Sequence, residues 1–141
     1  MNKMTVLLAE DNVDDEFFTC QGLNASHVPL TIHVAHDGAE ALDMLFREDG
    51  LQLNPDLILL DINMPKLNGL EVLARLRREL RTRFTPVVML TSSTQPEDIV
   101  RAYHAGANSY LSKPINTSRM LDLVGEMTRY WLRDNRPPPK A

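Results

Sequence analysis

The chain has 141 residues, a formal net charge of −4 and one cysteine, Cys20. This length suits a single domain whose core needs no disulfide, and one cysteine excludes an internal disulfide and a thiolate metal cluster. The small negative charge gives no electrostatic reason to expect nucleic acid or anionic membranes as partners, so we expect protein partners. The apolar run at residues 4–9 is too short to span a membrane and lacks a cleavage signature, which favours a cytoplasmic location.

Apolar runs alternate with helical patterns along the chain. We predict strands at residues 5–9, 30–35, 57–60, 86–91 and 108–111. The helices that follow are predicted to begin near Asn12, Asp37, Asn68, Thr94 and Thr117. The fourth helix is expected to end at Gly106 and the fifth at Leu132. Five strands, each followed by a helix, predict a doubly wound parallel sheet, because right-handed crossovers between parallel strands place helices on both faces.

Two helices carry expectations about which side chains face the core. In the first helix, one rough face is defined by Val13, Phe17, Cys20 and Asn24, and Phe18 widens its apolar side. In the third helix, Leu80 is expected on the apolar face. Five arginines alternate with core leucines in and after the third helix: Arg75, Arg77, Arg78, Arg81 and Arg83. Without a recognition motif, they favour a solvated face over a nucleic-acid patch.

The last residues of the chain differ in composition from the rest. Residues 133–141 include three consecutive prolines, Pro137 to Pro139. This composition predicts a flexible Pro-rich tail after a domain formed by residues 1–132.

One stretch, around Asp61, organises the whole pattern. The uninterrupted apolar run of residues 57–60 is typical of a central strand that is buried on both faces of a parallel sheet. Asp61 ends this run, and the carboxyl end of such a strand is where ligands bind in open α/β sheets. Polar residues also follow three other predicted strands: Glu10-Asp11, Thr91 and Lys113. We therefore expect these side chains to converge at one edge of the sheet.

The residue types in this cluster favour metal-assisted phosphoryl chemistry. Clustered carboxylates repel one another, and a hard divalent cation such as Mg²⁺ (or Mn²⁺) relieves that repulsion. Asp11 and Asp61 are the expected direct ligands. A carboxylate is also a competent nucleophile toward a phosphoryl group, and Lys113 and Thr91 would supply a cation and a hydroxyl to its oxygens.

These motifs resemble those of the response-regulator receiver domains of two-component signalling, over roughly Met4 to Leu132. The resemblance is carried by Ala9-Glu10-Asp11-Asn12, Leu60-Asp61-Ile62-Asn63-Met64-Pro65, Leu90-Thr91-Ser92-Ser93 and Tyr110-Leu111-Ser112-Lys113-Pro114. It implies a flavodoxin-like fold with five strands and five helices. It also implies a phosphorylation switch rather than an enzyme, with a histidine kinase as the phosphoryl donor and no DNA-binding output domain.

The resemblance also implies a role for each motif residue. Asp61 would be the phosphoacceptor, Asp11 a metal ligand, and Glu10 an outer-sphere acid in place of the more common aspartate. The backbone carbonyl of Asn63 would bind the metal. The two motifs nearest the C-terminus imply three further roles. Thr91 and Lys113 would bind the phosphoryl group, and Thr91 and Tyr110 would act as switch residues. The Lys113–Pro114 peptide bond would be cis.

The chain end suggests a narrower resemblance and an assembly. Arg129-Tyr130-Trp131-Leu132 is similar to the ending of single-domain regulators that partner phytochrome-type histidine kinases. Tyr130 and Trp131 either pack the last helix or form part of an interface, since aromatic residues are enriched in interface cores. We expect a homodimer through the face of the fourth helix, fifth strand and fifth helix.

Two other classes of protein share parts of this pattern but fit it less well. A magnesium-dependent phosphohydrolase with an aspartyl nucleophile typically has a second Asp two residues after the first, whereas this chain has Asn63 there. A nucleotide- or flavin-binding module is disfavoured because no Gly-rich phosphate loop follows the first strand. The four histidines have no metal-ligand spacing and favour ordinary surface roles.

Overall fold

Five parallel strands form one sheet in the computed structural model, which describes residues 3–140. The strands are β1 (Met4–Ala9), β2 (Leu30–Ala35), β3 (Leu57–Leu60), β4 (Val87–Thr91) and β5 (Ser109–Ser112). Their spatial order is β2-β1-β3-β4-β5, and every neighbouring pair is parallel. All four residues of β3 are fully buried. The central, doubly buried strand predicted from the apolar run is therefore confirmed.

Helices cover both faces of the sheet, as predicted for a doubly wound fold. They are α1 (Val13–Asn24), α2 (Gly38–Phe46), α3 (Gly69–Arg78), α4 (Pro96–Ala105) and α5 (Thr117–Arg129), and α5 continues into a π-helical turn, Tyr130–Asp134. One core cluster packs side chains of α1 and α5 against the sheet, and the other packs α2, α3 and α4 on the opposite face. None of the helices within residues 3–140 is long and apolar enough to cross a membrane.

Polar side chains begin most of these helices at the predicted places. Asn12, Asp37 and Asn68 each accept a hydrogen bond from a backbone N–H in the first turn of their helix. The prediction of a Thr94 cap is wrong. The residue that caps α4 is Gln95, and its side chain makes no capping bond. Pro96 takes the first helical position, where its fixed φ suits the start of a helix.

The orientation of α1 differs from the expected apolar face. The side chains of Val13 and Phe17 are largely exposed, at 75% and 55%. Phe18 and Cys20 do pack against the core, as expected, and the helix also buries Gly22 and Leu23. The helix α5 approaches so closely that a Cβ on Gly22 would lie 2.6 Å from the Cβ of Val124. Close packing of α1 on α5 at Gly22 therefore decides which face of α1 is buried.

The third helix ends earlier than the apolar pattern suggested. It stops at Arg78, and the side chain of Leu80 is 69% exposed. Arg77 is not on a solvated face, because its guanidinium donates hydrogen bonds to Gly106 O, Asn108 Oδ1 and carbonyl oxygens of the loop at residues 82–85. Arg81 similarly donates to the carbonyl oxygens of Leu45 and Leu53. These two arginines are half-buried and connect neighbouring loops.

The proline tail lies against the amino-terminal end of the sheet. Lys140 Nζ lies 2.8 Å from Asp56 Oδ1 and donates to the carbonyl oxygen of Asn54 at 3.0 Å. Pro137, Pro138 and Pro139 border a shallow groove with Phe84 and Leu80. The described part of the predicted tail, which ends at Lys140, is thus folded back onto the domain at the end opposite the acidic cluster.

Candidate functional site

The acidic residues predicted to converge do so at the carboxyl ends of β1 and β3. These two strands are paired in register, and the backbone N–H of Asp61 donates to Ala9 O at 3.2 Å. Glu10 and Asp61 are 1% and 6% exposed, whereas Asp11 lies at the surface. The order of the strands also reverses between β1 and β3, which is where ligands bind in open α/β sheets.

The donor chemistry of this cluster fits a hard divalent cation. Carboxylate oxygens of Glu10, Asp11 and Asp61 all lie within 4.8 Å of one another. Such oxygens are the ligands that Mg²⁺ and Mn²⁺ prefer, and an exposed Asp11 leaves the cluster open to water, which Mg²⁺ retains on binding. The backbone N–H of Asn63 donates to Asp61 Oδ1 at 3.3 Å, which places the start of the β3–α3 loop beside the same carboxylate.

Lys113 joins the cluster from the end of β5. Its ammonium nitrogen lies 2.5 Å from Glu10 Oε1, 2.8 Å from Asp61 Oδ2 and 2.9 Å from Asp15 Oδ2. The side chain of Lys113 is only 6% exposed. An ammonium has three N–H bonds, so these three carboxylates satisfy all of its donors.

Burial and the ion pairs shift the pKa values of this group in defined directions. Burial raises the pKa of Glu10 to about 7, although the hydrogen bond and charge of Lys113 act in the opposite direction. For Lys113, burial lowers the pKa, but hydrogen bonds to Asp61, Glu10 and Asp15 outweigh burial and raise it overall. Lys113 therefore remains an ammonium, and the cluster carries a fixed cation beside Asp61.

Two further predicted residues lie along β4 and β5. Thr91 is completely buried at the end of β4, and its Oγ1 accepts a long hydrogen bond from the backbone N–H of Ser93 at 3.4 Å. The Tyr110 hydroxyl donates to the Ser93 carbonyl oxygen at 2.9 Å. Burial raises the pKa of the Tyr110 phenol, opposed by this hydrogen bond. Thr91 and Tyr110 thus contact the same loop, residues 92–95.

The sequence that forms this site matches a known protein family. The model of the response regulator receiver domain matches residues 6–125 of the chain. The chain belongs to the receiver domain family. Receiver domains are signalling modules of two-component systems, so the resemblance inferred from the four motifs is confirmed.

Individual relatives align with nearly the whole receiver domain. The probable methanogenesis regulatory protein FilR2 of Methanothrix harundinacea is 39% identical over 137 residues, covering 96% of this chain and 88% of FilR2. Response regulator Rcp1 of Synechocystis is 32% identical over 129 residues, covering 90% of this chain and 88% of Rcp1.

Solved structures of relatives show the same architecture. The phosphorylated cyanobacterial phytochrome response regulator RcpA superposes with a TM-score of 0.92 at 34% identity, covering 98% of this chain and all of RcpA. The Mn²⁺-bound form of Rcp1 superposes with a TM-score of 0.88 at 31% identity, covering 96% and 99% of the two chains. The predicted fold class and the likeness to phytochrome-associated regulators are both supported.

One site prediction is wrong for this receiver domain. The Lys113–Pro114 peptide bond was predicted to be cis but is trans, and no peptide bond within residues 3–140 is cis. A trans X–Pro bond is favoured by about 0.5–1 kcal/mol in the absence of opposing contacts. With this bond trans, Lys113 still reaches Glu10 and Asp61, so the ion pairs do not require the cis isomer.

The sequence pattern missed one carboxylate of the receiver site. Asp15 is not among the site residues predicted from the sequence, yet its side chain reaches Lys113. The available signal was its position in the first turn of the helix that begins directly after Glu10-Asp11. What the sequence could not show is that this turn faces the end of β5.

Proposed function

We propose that the protein is a single-domain response regulator that accepts a phosphoryl group on Asp61 and signals through protein–protein contact. The main observation that supports this proposal is the position of the Asp61 carboxylate. It lies 2.8 Å from the Lys113 ammonium and within 4.8 Å of the Glu10 and Asp11 oxygens. A nucleophile, a cation and a metal-binding acid pair are thus in one place, as phosphoryl transfer requires.

The metal would be held by Asp11, Asp61 and the backbone carbonyl of Asn63, with Glu10 as an outer-sphere acid. Mg²⁺ or Mn²⁺ in that position would neutralise negative charge on the carboxylates and on the phosphoryl oxygens. The acidic cluster within residues 3–140 supports this proposal, and so does the Mn²⁺-bound form of the relative Rcp1. The buried Glu10 would act through water rather than by direct coordination.

Asp61 would act as the nucleophile toward a phosphohistidine of the kinase. A bond from an Asp61 oxygen to phosphorus forms while the phosphorus–nitrogen bond of the phosphohistidine breaks, so the imidazole leaves with its electron pair. Lys113 and the Thr91 hydroxyl would stabilise the phosphoryl oxygens, because both lie at strand ends beside Asp61. The product is an aspartyl phosphate on a side chain that is 7% exposed before the reaction.

The signal would leave the site through Thr91 and Tyr110. A phosphoryl group adds acceptor oxygens and negative charge, which would draw the Thr91 hydroxyl toward Asp61. That movement alters the loop at residues 92–95, whose Ser93 carbonyl accepts the Tyr110 hydrogen bond. Tyr110 would then turn and change the surface formed by α4, β5 and α5.

The proposed donor is a histidine kinase of the phytochrome type. This proposal is supported by the 34% identity to RcpA, which is a phytochrome response regulator, and by coverage of nearly both complete chains. A cytoplasmic location would follow from such a donor. No basic patch or recognition motif in the sequence supports a nucleic-acid partner, so we propose a protein as the output partner.

The proposed output surface would also form a homodimer. Val100 and Tyr103 on α4 and Tyr130 after α5 are each more than half exposed, which is high for large apolar side chains. Trp131 is only partly exposed and packs against the core cluster of α1 and α5. Tyr130 contacts Trp131 edge to face at 5.0 Å, and of these two residues it is Tyr130 that is exposed enough to enter an interface.

Intact-mass measurement after incubation with acetyl phosphate and Mg²⁺ tests the central assignment. We expect one phosphoryl adduct on the wild type, none on Asp61→Asn and none on the wild type in EDTA. Asp14→Asn is the matched control, because Asp14 is exposed in the same acidic region and should accept the phosphoryl group normally. An adduct of equal yield on Asp61→Asn would refute the assignment.

Phosphotransfer from purified histidine kinases tests the proposed donor. We expect the fastest initial transfer from a phytochrome-type kinase and slower transfer from kinases of other classes. Equal or faster transfer from an unrelated kinase would contradict the phytochrome proposal while leaving Asp61 as the acceptor.

A further inference from the structure

Lys113 holds a third carboxylate that the proposed phosphoryl chemistry does not use. Its ammonium pairs with Glu10 and Asp61, which belong to the acidic cluster, and also with Asp15 at 2.9 Å. Because an ammonium has three donors, these contacts leave none free for a phosphoryl oxygen. One contact must therefore be given up before Lys113 can bind a phosphoryl group.

The local structure of α1 fixes Asp15 in this position. The backbone N–H of Asp15 donates to Oδ1 of the capping residue Asn12 at 2.9 Å, which sets the first turn of the helix. Asp14, one residue earlier, faces outward, and its side chain takes part in no hydrogen bond or ion pair among residues 3–140. The contact with Lys113 is thus specific to one of two adjacent aspartates.

The three partners of Lys113 differ in how readily they can be released. Glu10 is 1% exposed, so losing Lys113 would leave its carboxylate as an unpaired buried charge, which is strongly unfavourable. Asp61 is 7% exposed in its side chain and is itself the group that becomes phosphorylated. The Asp15 side chain is 38% exposed, so water can solvate it when the contact breaks.

We propose that Asp15 is a positioning residue that holds Lys113 in the unphosphorylated state and releases it when Asp61 is phosphorylated. The inference rests on the proposed function of Asp61. Asp15 competes with the phosphoryl oxygens for one N–H of Lys113, so it weakens phosphoryl binding without touching the phosphoryl group. Removing the Asp15 charge should shift Lys113 toward the phosphorylated arrangement.

The size of the effect is limited by the exposure of the pair. A partly exposed ion pair changes an equilibrium by no more than about fivefold. Asp15→Asn should therefore bind beryllofluoride, a mimic of the phosphoryl group on Asp61, about two- to fivefold more tightly at a fixed Mg²⁺ concentration. Asp14→Asn removes the same charge from the neighbouring position. It should change the dissociation constant for beryllofluoride by a smaller factor than Asp15→Asn does.

A double-mutant cycle with Lys113→Ala separates positioning by Asp15 from a general effect of charge. If Asp15 acts through Lys113, Asp15→Asn should have no further effect on beryllofluoride affinity once Lys113 is alanine. The Asp15→Glu variant keeps the charge and should restore an affinity close to that of the wild type. The titration is followed by the amide signals of Thr91 and Ser93, which adjoin the site.

Each outcome of this experiment supports or overturns the inference. Tighter binding in Asp15→Asn that disappears in the Lys113→Ala background supports it. Equal effects of Asp14→Asn and Asp15→Asn would overturn it, as would an Asp15→Asn effect that persists without Lys113. A wild type that binds beryllofluoride normally while Asp15→Asn changes nothing would refute only the role of Asp15. A wild type that binds none would refute the proposed function as well.

Discussion

The guanidinium Nε of Arg77 donates a hydrogen bond to the carbonyl oxygen of Gly106 at 2.9 Å, which joins the end of α3 to the end of α4. The same side chain donates to Thr85 O at 2.8 Å and to Asn108 Oδ1 at 2.8 Å. Gly106 has a φ of +106°, and a Cβ there would lie 2.8 Å from Arg77 Cγ. Arg77 therefore joins the loop at residues 82–85 to the loop that follows α4.

We predict that Arg77→Met destabilises the protein by about 2–4 kcal/mol, because it leaves several partly buried carbonyl oxygens without donors. Urea unfolding measures the loss. Arg78→Met is the matched control, since Arg78 is exposed on the same turn and should change stability by less than about 0.5 kcal/mol. Equal stability of the two variants would show that the Arg77 contacts contribute little.

The buried carboxyl group of Glu10 should make the metal-free protein sensitive to pH. Burial raises its pKa from 4.5 to about 7 in the folded state. Between these pH values the folded protein binds more protons than the unfolded chain, so the free energy of unfolding falls as pH rises. The stabilisation is fully present below pH 4.5 and is lost as pH rises through 7. Over that range the Glu10 contribution decreases by about 3 kcal/mol.

Urea unfolding in EDTA at several pH values measures this slope. Glu10→Gln cannot titrate and should remove most of the slope, whereas Glu97→Gln, at an exposed position in α4, should retain it. Parallel pH profiles of the wild type and Glu10→Gln would refute the assignment of the slope to Glu10.

Lys113 should be needed for the response to phosphorylation more than for phosphorylation itself. Asp61 keeps its nucleophilic oxygens in Lys113→Ala, so this variant should still gain a phosphoryl group with Mg²⁺. Without the ammonium, the phosphoryl oxygens lose a fixed partner, and the signals of Tyr110 and Ser93 should shift less on phosphorylation. Lys66→Ala removes a lysine that is 69% exposed in its side chain and serves as the control. A full response in Lys113→Ala would refute this route.

Tyr130 should contribute to the proposed homodimer. Its side chain is 51% exposed and stacks edge to face on Trp131, so truncation removes surface area without opening the core. We predict that Tyr130→Ala weakens dimerisation at least tenfold, as expected for an aromatic anchor at an interface. Sedimentation equilibrium measures the dissociation constant, with and without beryllofluoride.

Phe84→Ala is the matched control for the dimer. Phe84 is also an exposed aromatic residue, at 60%, but it lies beside the proline tail and away from α4 and α5. A wild type that remains monomeric at high micromolar concentration in both states would exclude the dimer. Trp131→Ala is less informative, because Trp131 packs on the core and its loss would also destabilise the fold.

The sequence by itself determined the strands, the buried character of β1, β3 and β4, and the polar residues at the strand ends. Apolar runs such as residues 57–60 are local signals, because a strand buried on both faces must be apolar throughout. The convergence of Glu10, Asp11, Asp61 and Lys113 followed from parallel topology alone, since the carboxyl ends of parallel strands meet at one edge. The caps at Asn12 and Asn68 were equally local, because each requires only a side chain and the next turn of backbone.

Only the tertiary structure decided the contacts between distant parts of the chain. Asp15 and Lys113 are 98 residues apart, and Arg77 and Gly106 are 29 apart, so no local pattern encodes either contact. The buried face of α1 depended on how closely α5 approaches Gly22, which periodicity within α1 does not specify. The isomer at Pro114 likewise depends on packing, because the two X–Pro isomers differ by only about 0.5–1 kcal/mol and tertiary contacts select between them.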